Sequence, residues 1–552
     1  MATARRGGSN AFTVAGGILL SRIAGFLRDR AVAYYFGVGP HADVLRTALR
    51  GPNILQNLLG EGTLSAAFIP IYSRMLSEGR ARDAGRFAGA VFGLLLATAG
   101  GLTLVGFLFA HPIVTALAPG FLGDTALVAA GAARVDRFAL AVDAVRIVFP
   151  MTGLLVLSAW ALGVLNSHRR FFLPYVAPVV WNAAIIAAIL FAAPGLAGPA
   201  DLAGRDRLLI AACLGGLAGG LLQFAVQLPL VAAEMRGFRL SLGARVDGVR
   251  QALRAFGPAV AGRGVYQLSA FLDLVLASLL ATGAVAALGW AQTLYMLPVS
   301  LFGLSVAAAE LPELARRQGA GLPGEFLERL EASLRQMAFL TAPTAVGYLA
   351  FGYLLVGGLY RTGRFTVADN WMVYLVLCGY SLGLLATTSS RLLQNAFYAL
   401  SDTRAPARIA AIRVALSAGL SVPLMLALDR VPVGAVAPLP GPGAPLFLGA
   451  AGLALASSVG AWAELLLLRA RLGARAAGFA LPAGAILRMT GVALLACLPA
   501  GLAWRWLPAV HVAAAAALVV AVYAAAYFGL ARSFGLSEAS AWLGRLGRRV
   551  SR

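Results

Sequence analysis

Apolar runs of about 20 residues, long enough to cross a bilayer as helices, recur along the whole chain. They fall near 13–37, 42–75, 85–111, 138–166, 171–194, 207–232, 251–282, 284–315, 331–360, 369–399, 405–427, 446–468, 483–505 and 509–531, about fourteen spans, several long enough to tilt or bend. The pattern predicts an all-α polytopic membrane protein. An even number of spans puts both termini on one side, and arginine placement says which. Alternate loops carry Arg74, Arg80, Arg82 and Arg86, then Arg169 and Arg170, then Arg236, Arg239, Arg245, Arg250 and Arg254, and so on to Arg469, Arg471 and Arg475. That bias places these loops and both termini in the cytoplasm. The longest basic connection, 233–250, reads as a linker between an N-lobe (1–232, six spans) and a C-lobe (251–475, six spans), leaving 476–552 as a C-terminal helix pair with a basic tail. The halves carry weak echoes: Ala66-Ala67-Phe68-Ile69-Pro70 closes the second span as Ala308-Ala309-Glu310-Leu311-Pro312 closes the eighth, the mark of a transporter built from a repeat.

Charges break the apolar pattern early. Asp43, Arg46, Arg50, Asn53, Asn57 and Glu61 are spaced three or four apart, one polar stripe on one helix face, about 27 Å long at 1.5 Å per residue. In the first span Arg22 and Asp29 share a face, with Arg28 roughly 120° around from Arg22. An ionised side chain at mid-bilayer costs roughly 2.5–3.5 kcal/mol on insertion scales, so such residues normally line a water-filled path or meet a partner. The plainer alternative is that the outermost, Asp43, Arg46 and Glu61, snorkel to headgroups or pair with one another. Buried guanidinium suits a cargo with a phosphate or pyrophosphate head, because its fork of donors binds phosphate oxygens bidentately and stays charged when desolvated.

Composition narrows the function further. Of 552 residues, 60% are hydrophobic and 12% charged, and the mean hydropathy of +0.81 excludes an ordinary soluble domain. The net charge of +22 comes from arginine alone, with no lysine, and lies in short loops rather than on a folded basic face, which argues against nucleic acid. Cys213, Cys378 and Cys497 sit singly in apolar runs and read as small hydrophobes. His41, His111, His168 and His511 are scattered without metal-ligand spacing, no catalytic constellation is evident, and no GxxxxGK[ST] loop is present. These readings point to a transporter rather than an enzyme, without cofactor or metal, powered by membrane potential or an ion gradient such as Na⁺ or H⁺. The polar start MATARRGGSNAF, with no small-residue cleavage site after the first run, predicts an uncleaved first helix.

Particular residues then carry a family resemblance. Ser21-Arg22-x-x-Gly25-Phe26-x-Arg28-Asp29, Gly37-x-Gly39, Ala42-Asp43, Pro52-Asn53, Glu61-Gly62 and Ser65-x-Ala67-Phe68-x-Pro70 resemble the N-terminal signature of the MurJ/MviN lipid II flippases, within the multidrug/oligosaccharidyl-lipid/polysaccharide exporter superfamily. The likeness continues through Leu165-Asn166, Arg170-Phe171, Pro174, Ala177-Pro178, Asn182, Gly257-Pro258, Gln267, Gly363-x-Phe365 and Phe397-Tyr398. It implies two pseudo-symmetric six-helix lobes in a V around a central cavity, a C-terminal pair forming a groove for the lipid tail, and residence as a monomer in the bacterial inner membrane. It also implies outward movement of undecaprenyl-pyrophosphate-linked precursor for peptidoglycan synthesis, and so a role in cell wall biogenesis and cell shape. Export of another polyprenyl-linked saccharide or of drugs, and a non-transporting membrane scaffold, stand as the alternatives. By the resemblance, Arg22 and Arg28 match the first-helix arginines, Asp29 the adjacent carboxylate, Asp43 the acidic residue entering the second helix and Glu61 the one further along it. The chain also departs from the pattern. Gln56 and Asn57 stand where many members have arginine, and Gln292, Thr293 and Met296 where one branch has Asp, Arg and Glu. Arg46, Arg50 and Arg263 are unusual intramembrane charges expected to join the substrate site, Arg263 either standing in for the position of Thr293 or snorkelling to the cytoplasmic interface. Asp273 matches the seventh-helix carboxylate of a sodium site, although the eleventh span offers only Ser417 and Ser421 opposite it.

Overall fold

The apolar runs fold as helices because a backbone surrounded by hydrocarbon must satisfy its polar groups within its own segment. The computed structural model describes the backbone of residues 2–60, 63–64, 67–196, 198, 201–243, 246–319, 323–439, 446–476, 478–506, 511–540 and 542; within these it describes every side chain except those of 2–13, 15, 258–259, 261–266, 268–270, 304–305, 308–309 and 323. Among the described residues, ten helices are long and apolar enough to cross a membrane, or up to twelve when two bent pairs each count as one span. Helices also lie within the expected spans at 13–37, 42–75 and 251–282, which are the ones that carry the charges discussed above. The chain divides into two units, Met1–Leu279 and Leu280–Arg552.

The first unit contains α1 (Ala2–Phe36), α2 (Pro40–Leu59), α3 (Ile69–Ser77), α4 (Ala81–Leu108), α5 (Ala110–Leu117), α6 (Asp124–Ala129), α7 (Arg137–Ser167), α8 (Phe172–Ala192), α9 (Leu202–Ala225), α10 (Leu228–Glu234) and α11 (Val249–Ser278). Its axis is α7, apolar on every side and packed by α2, α4 and α9. The most hydrophobic stretch of α7 is 83% buried against 28% for α4, so α7 is the core and α4 keeps a face outward. The second span departs from the single helix expected over 42–75. α2 stops at Gly60, where any side chain would collide with the Gln56 carbonyl, and the helix resumes as α3; Glu61 lies outside the described residues. A bent pair at 110–129, turning by 104°, fills a stretch with no expected span.

The connection after α10 is not a free loop. Residues 236–241 run along α4, where Gly85, Gly89 and Gly93 form a groove so close to the carbonyls of Arg236, Arg239 and Ser241 that a Cβ on any of the three glycines would collide with them. Phe238 packs edge-on against Phe92 and Trp160.

The second unit contains α12 (Ala284–Pro298), α13 (Ser305–Gly319), α14 (Pro323–Tyr360), α15 (Val367–Ser381), α16 (Leu384–Ala399), α17 (Arg404–Leu428), α18 (Gly449–Gly473), α19 (Ala483–Arg505) and α20 (Val512–Ser533). A π-helical turn at Val299–Leu304 separates α12 from α13 directly after Pro298, whose missing N–H ends the regular ladder. α18 is buried among α15, α16 and α17, and α19 and α20 pack on α14. Prolines in this unit orphan carbonyls that tyrosines then satisfy. Pro298 cannot donate to Leu294, and the Tyr348 hydroxyl donates there at 2.9 Å; Pro343 cannot donate to Phe339, and Tyr527 of α20 donates there at 2.9 Å. Tyr523 adds a bond to the Pro343 carbonyl at 2.8 Å, so α20 is fastened to α14 at its internal proline. Tyr527→Phe is therefore expected to destabilise the unit by about 1–3 kcal/mol, the cost of a buried unsatisfied carbonyl. In a Pro343→Ala background, where alanine restores the helical N–H donor, the same change should cost much less; equal loss of thermal stability in both backgrounds would refute this pairing.

Candidate functional site

Three of the expected site residues come together inside the first unit. Asp29 of α1 is buried, and its Oδ1 accepts from Nε and Nη2 of Arg28 at 3.2 and 2.8 Å. Its Oδ2 accepts from Nη2 of Arg46, on α2, at 3.3 Å. One carboxylate thus carries two guanidinium groups from two helices. Arg28 is held from a second side: its Cζ stands 5.1 Å from the ring centroid of Trp181 on α8. With Nε and Nη2 committed to Asp29, Nη1 of Arg28 bonds none of the described residues.

The other expected residues, Glu61 apart, lie on α1, α2 and α11. Arg50 and Asn53 continue down α2 half-buried and Asn57 is exposed, while Arg50 and Asn57 each engage neighbours. Arg22 is exposed on α1. The side chain of Arg263, like Glu61, lies outside the described residues, although its backbone is helical within α11; Asp273 of the same helix is half-buried and engaged. Gln292, Thr293 and Met296 of α12 form a neutral stretch in the second unit. Gln292 donates to the Tyr380 hydroxyl at 2.9 Å and Thr293 back to the Gly289 carbonyl at 3.0 Å.

Asp43 faces a different partner. It is buried at the start of α2, where Nη1 of Arg137 reaches its Oδ2 at 3.4 Å. Nε and Nη2 of the same guanidinium grip Asp124 at 2.5 and 3.1 Å, and its Cζ lies 4.4 Å from the Phe121 ring centroid. Just before Asp43 in the same helix, buried His41 meets Asp206 of α9 at 2.8 Å. These contacts lash α2, α6, α7 and α9 together in the turn of α2 that precedes Arg46.

Sequence reading missed Arg137 and Asp124 because both sit at helix starts beside polar residues, where a charge attracts no notice. Trp181 gave no signal at all in an apolar run. The second unit holds a pair that was visible in principle, since Glu464 interrupts an apolar span. Glu464 is buried, accepts from Arg413 at 2.6 Å and from Gln394 at 2.7 Å, and joins α16, α17 and α18. Outside the spans, burial pulls the His168 imidazole below its ordinary pKa, with Glu234 opposing and Arg170 adding to the shift.

The chain is similar to known proteins along most of its length. A profile of the family described as "Lipid II flippase MurJ" matches residues 32–529. The lipid II flippase MurJ of Burkholderia cenocepacia is 32% identical over 550 residues, covering 96% of this chain and 97% of that protein. The probable lipid II flippase MurJ of Rhizobium tropici is 34% identical over 418 residues, 74% of each chain. Among solved structures, a lipid II flippase MurJ in an inward closed conformation superposes with a TM-score of 0.73 at 21% identity over 94% of this chain and 98% of that one. An inward-facing MATE family multidrug transporter gives 0.57 at 16% identity over 84% and 98%, a likeness of fold alone.

Proposed function

The chain belongs to the MurJ lipid II flippase family, and from that premise we propose that it moves lipid II, the undecaprenyl-pyrophosphate-linked peptidoglycan precursor, from the inner to the outer leaflet by alternating access. The observation that supports this reading best is the convergence of Arg28 and Arg46 on buried Asp29. The carboxylate holds two guanidinium groups near each other before substrate arrives, and two such forks of donors are what a pyrophosphate needs on leaving water. Arg28 offers its Nη1 edge to a phosphate oxygen, Arg46 supplies the second cation, and exposed Arg22 meets the head group on its way along α1. Arg50, Asn53 and Asn57 extend the polar stripe of α2, where amides suit hydroxyl and amide groups of the saccharide-peptide, and Arg263 on α11 adds a further phosphate contact. Membrane potential or an ion gradient supplies the work, with Asp273 the candidate ion ligand.

The test is complementation of a flippase-depleted bacterial strain, paired with lipid II translocation in proteoliposomes. Growth rescue together with translocation is expected; a purified, folded protein that moves no lipid II would refute the reading. We also propose that both termini and the 233–250 connection face the cytoplasm, on the arginine asymmetry. A Gly243→Cys variant in intact cells should resist an impermeant thiol reagent and react after permeabilisation. Ready labelling of intact cells would overturn the orientation.

A further inference from the structure

Trp181 carries no charge, and its surroundings fix it on several sides. Its indole Nε1 lies 3.1 Å from both the Gly216 carbonyl of α9 and Sδ of Met151 on α7, so the ring plane is tied to two other helices. The backbones around it are equally constrained: Gly219 of α9 lies so near the Trp181 backbone that an added Cβ would stand 2.8 Å from its carbonyl oxygen, and Gly17 of α1 so near Tyr175 that an added Cβ would stand 2.8 Å from the Tyr175 Cβ. α8 is thereby held against α1 and α9 together, and the ring it carries lies against the Arg28 guanidinium.

Arg28 needs such a support. Residues 28 and 29 are adjacent, so their side chains leave the helix about 100° apart, and Arg28 must wrap around the helix to reach Asp29. A long side chain that wraps so far has many competing rotamers, and ordering it costs binding free energy each time substrate arrives. A rigid aromatic face removes that cost beforehand and attracts the cation.

We propose that Trp181 is a positioning residue for the head-group site: its ring holds the guanidinium of Arg28 in the plane that commits Nε and Nη2 to Asp29 and leaves Nη1 for a phosphate oxygen. The proposal rests on the reading that Arg28 binds the pyrophosphate of lipid II. It makes specificity for the diphosphate head depend on a residue of the fifth span that carries no charge.

The test is a double-mutant cycle on the full-length protein in nanodiscs, with lipid II as the probe and equilibrium binding as the readout. Trp181→Leu is expected to weaken binding about 5–10-fold, whereas Trp181→Phe, which keeps an aromatic face and loses the indole N–H, should stay within about 3-fold of the native protein. In an Arg28→Ala background, itself much weaker than native, Trp181→Leu should cause no further loss. Equal losses from Trp181→Leu in both backgrounds would show that the ring only packs the helices, and equal losses from Phe and Leu would show that the indole hydrogen bonds, not the ring face, matter. Either result overturns the proposal. Unchanged lipid II binding in Arg28→Ala alone would instead overturn the reading of the site, and the positioning role with it.

Discussion

Arg28→Ala will abolish lipid II translocation while the protein still inserts and folds. The guanidinium is the part of Arg28 that meets Asp29 and Trp181, so its removal takes away the edge offered to phosphate and leaves Asp29 paired with Arg46 alone. Asp29 keeps a cation, which spares the fold the large cost of an unpaired buried carboxylate. Arg28→Lys should also fail, with at least a tenfold loss, because an ammonium is one point charge: it cannot hold Asp29 through two donors and present a second edge to substrate. Translocation measured in proteoliposomes at matched protein density checks both variants. Native rates in either would remove Arg28 from the mechanism.

The second large effect concerns the fold that carries this site. Arg137, Asp124 and Asp43 are each buried, and the one guanidinium bonds both carboxylates, so deleting a member removes buried charge pairing. Arg137→Met should destabilise the protein by about 3–5 kcal/mol, because it takes the shared cation from two buried carboxylates, and Asp124→Ala by less, because Arg137 keeps Asp43. Fluorescence-detected thermal unfolding in detergent should show both losses, in that order. The cluster grips the first turn of α2, one turn before Arg46, so the variants should also lose translocation at temperatures where they remain folded. A native-like midpoint for Arg137→Met would mean that the cluster contributes little.

How much of this was legible beforehand depends on which forces local sequence reports. The apolar runs declared the all-helical membrane fold, because hydrophobic length against bilayer thickness is a property of single segments. The stripe on α2 and the charges of α1 were equally plain, since helical periodicity is local. Their pairing was not. Nothing in the spacing of Asp29, Asp43, Arg46 and Arg137 says that Asp29 takes Arg46 while Asp43 takes Arg137, because that choice is made by how α1, α2 and α7 pack. The break at Gly60 was hidden for a similar reason: a glycine in an apolar helix is a packing residue or a stop depending on its neighbours in space.

The chain by itself therefore determined that this is a helical membrane protein with guanidinium and carboxylate groups placed inside its first two spans, since transfer free energy and helix geometry act residue by residue along the sequence. Tertiary structure alone decided which of those charges face each other, that Trp181 lies against Arg28, and that Tyr527 repairs the carbonyl left by Pro343. Those contacts join residues far apart in the chain, and only the packing of whole helices, governed by glycine contacts and the burial of α7, brings them within reach.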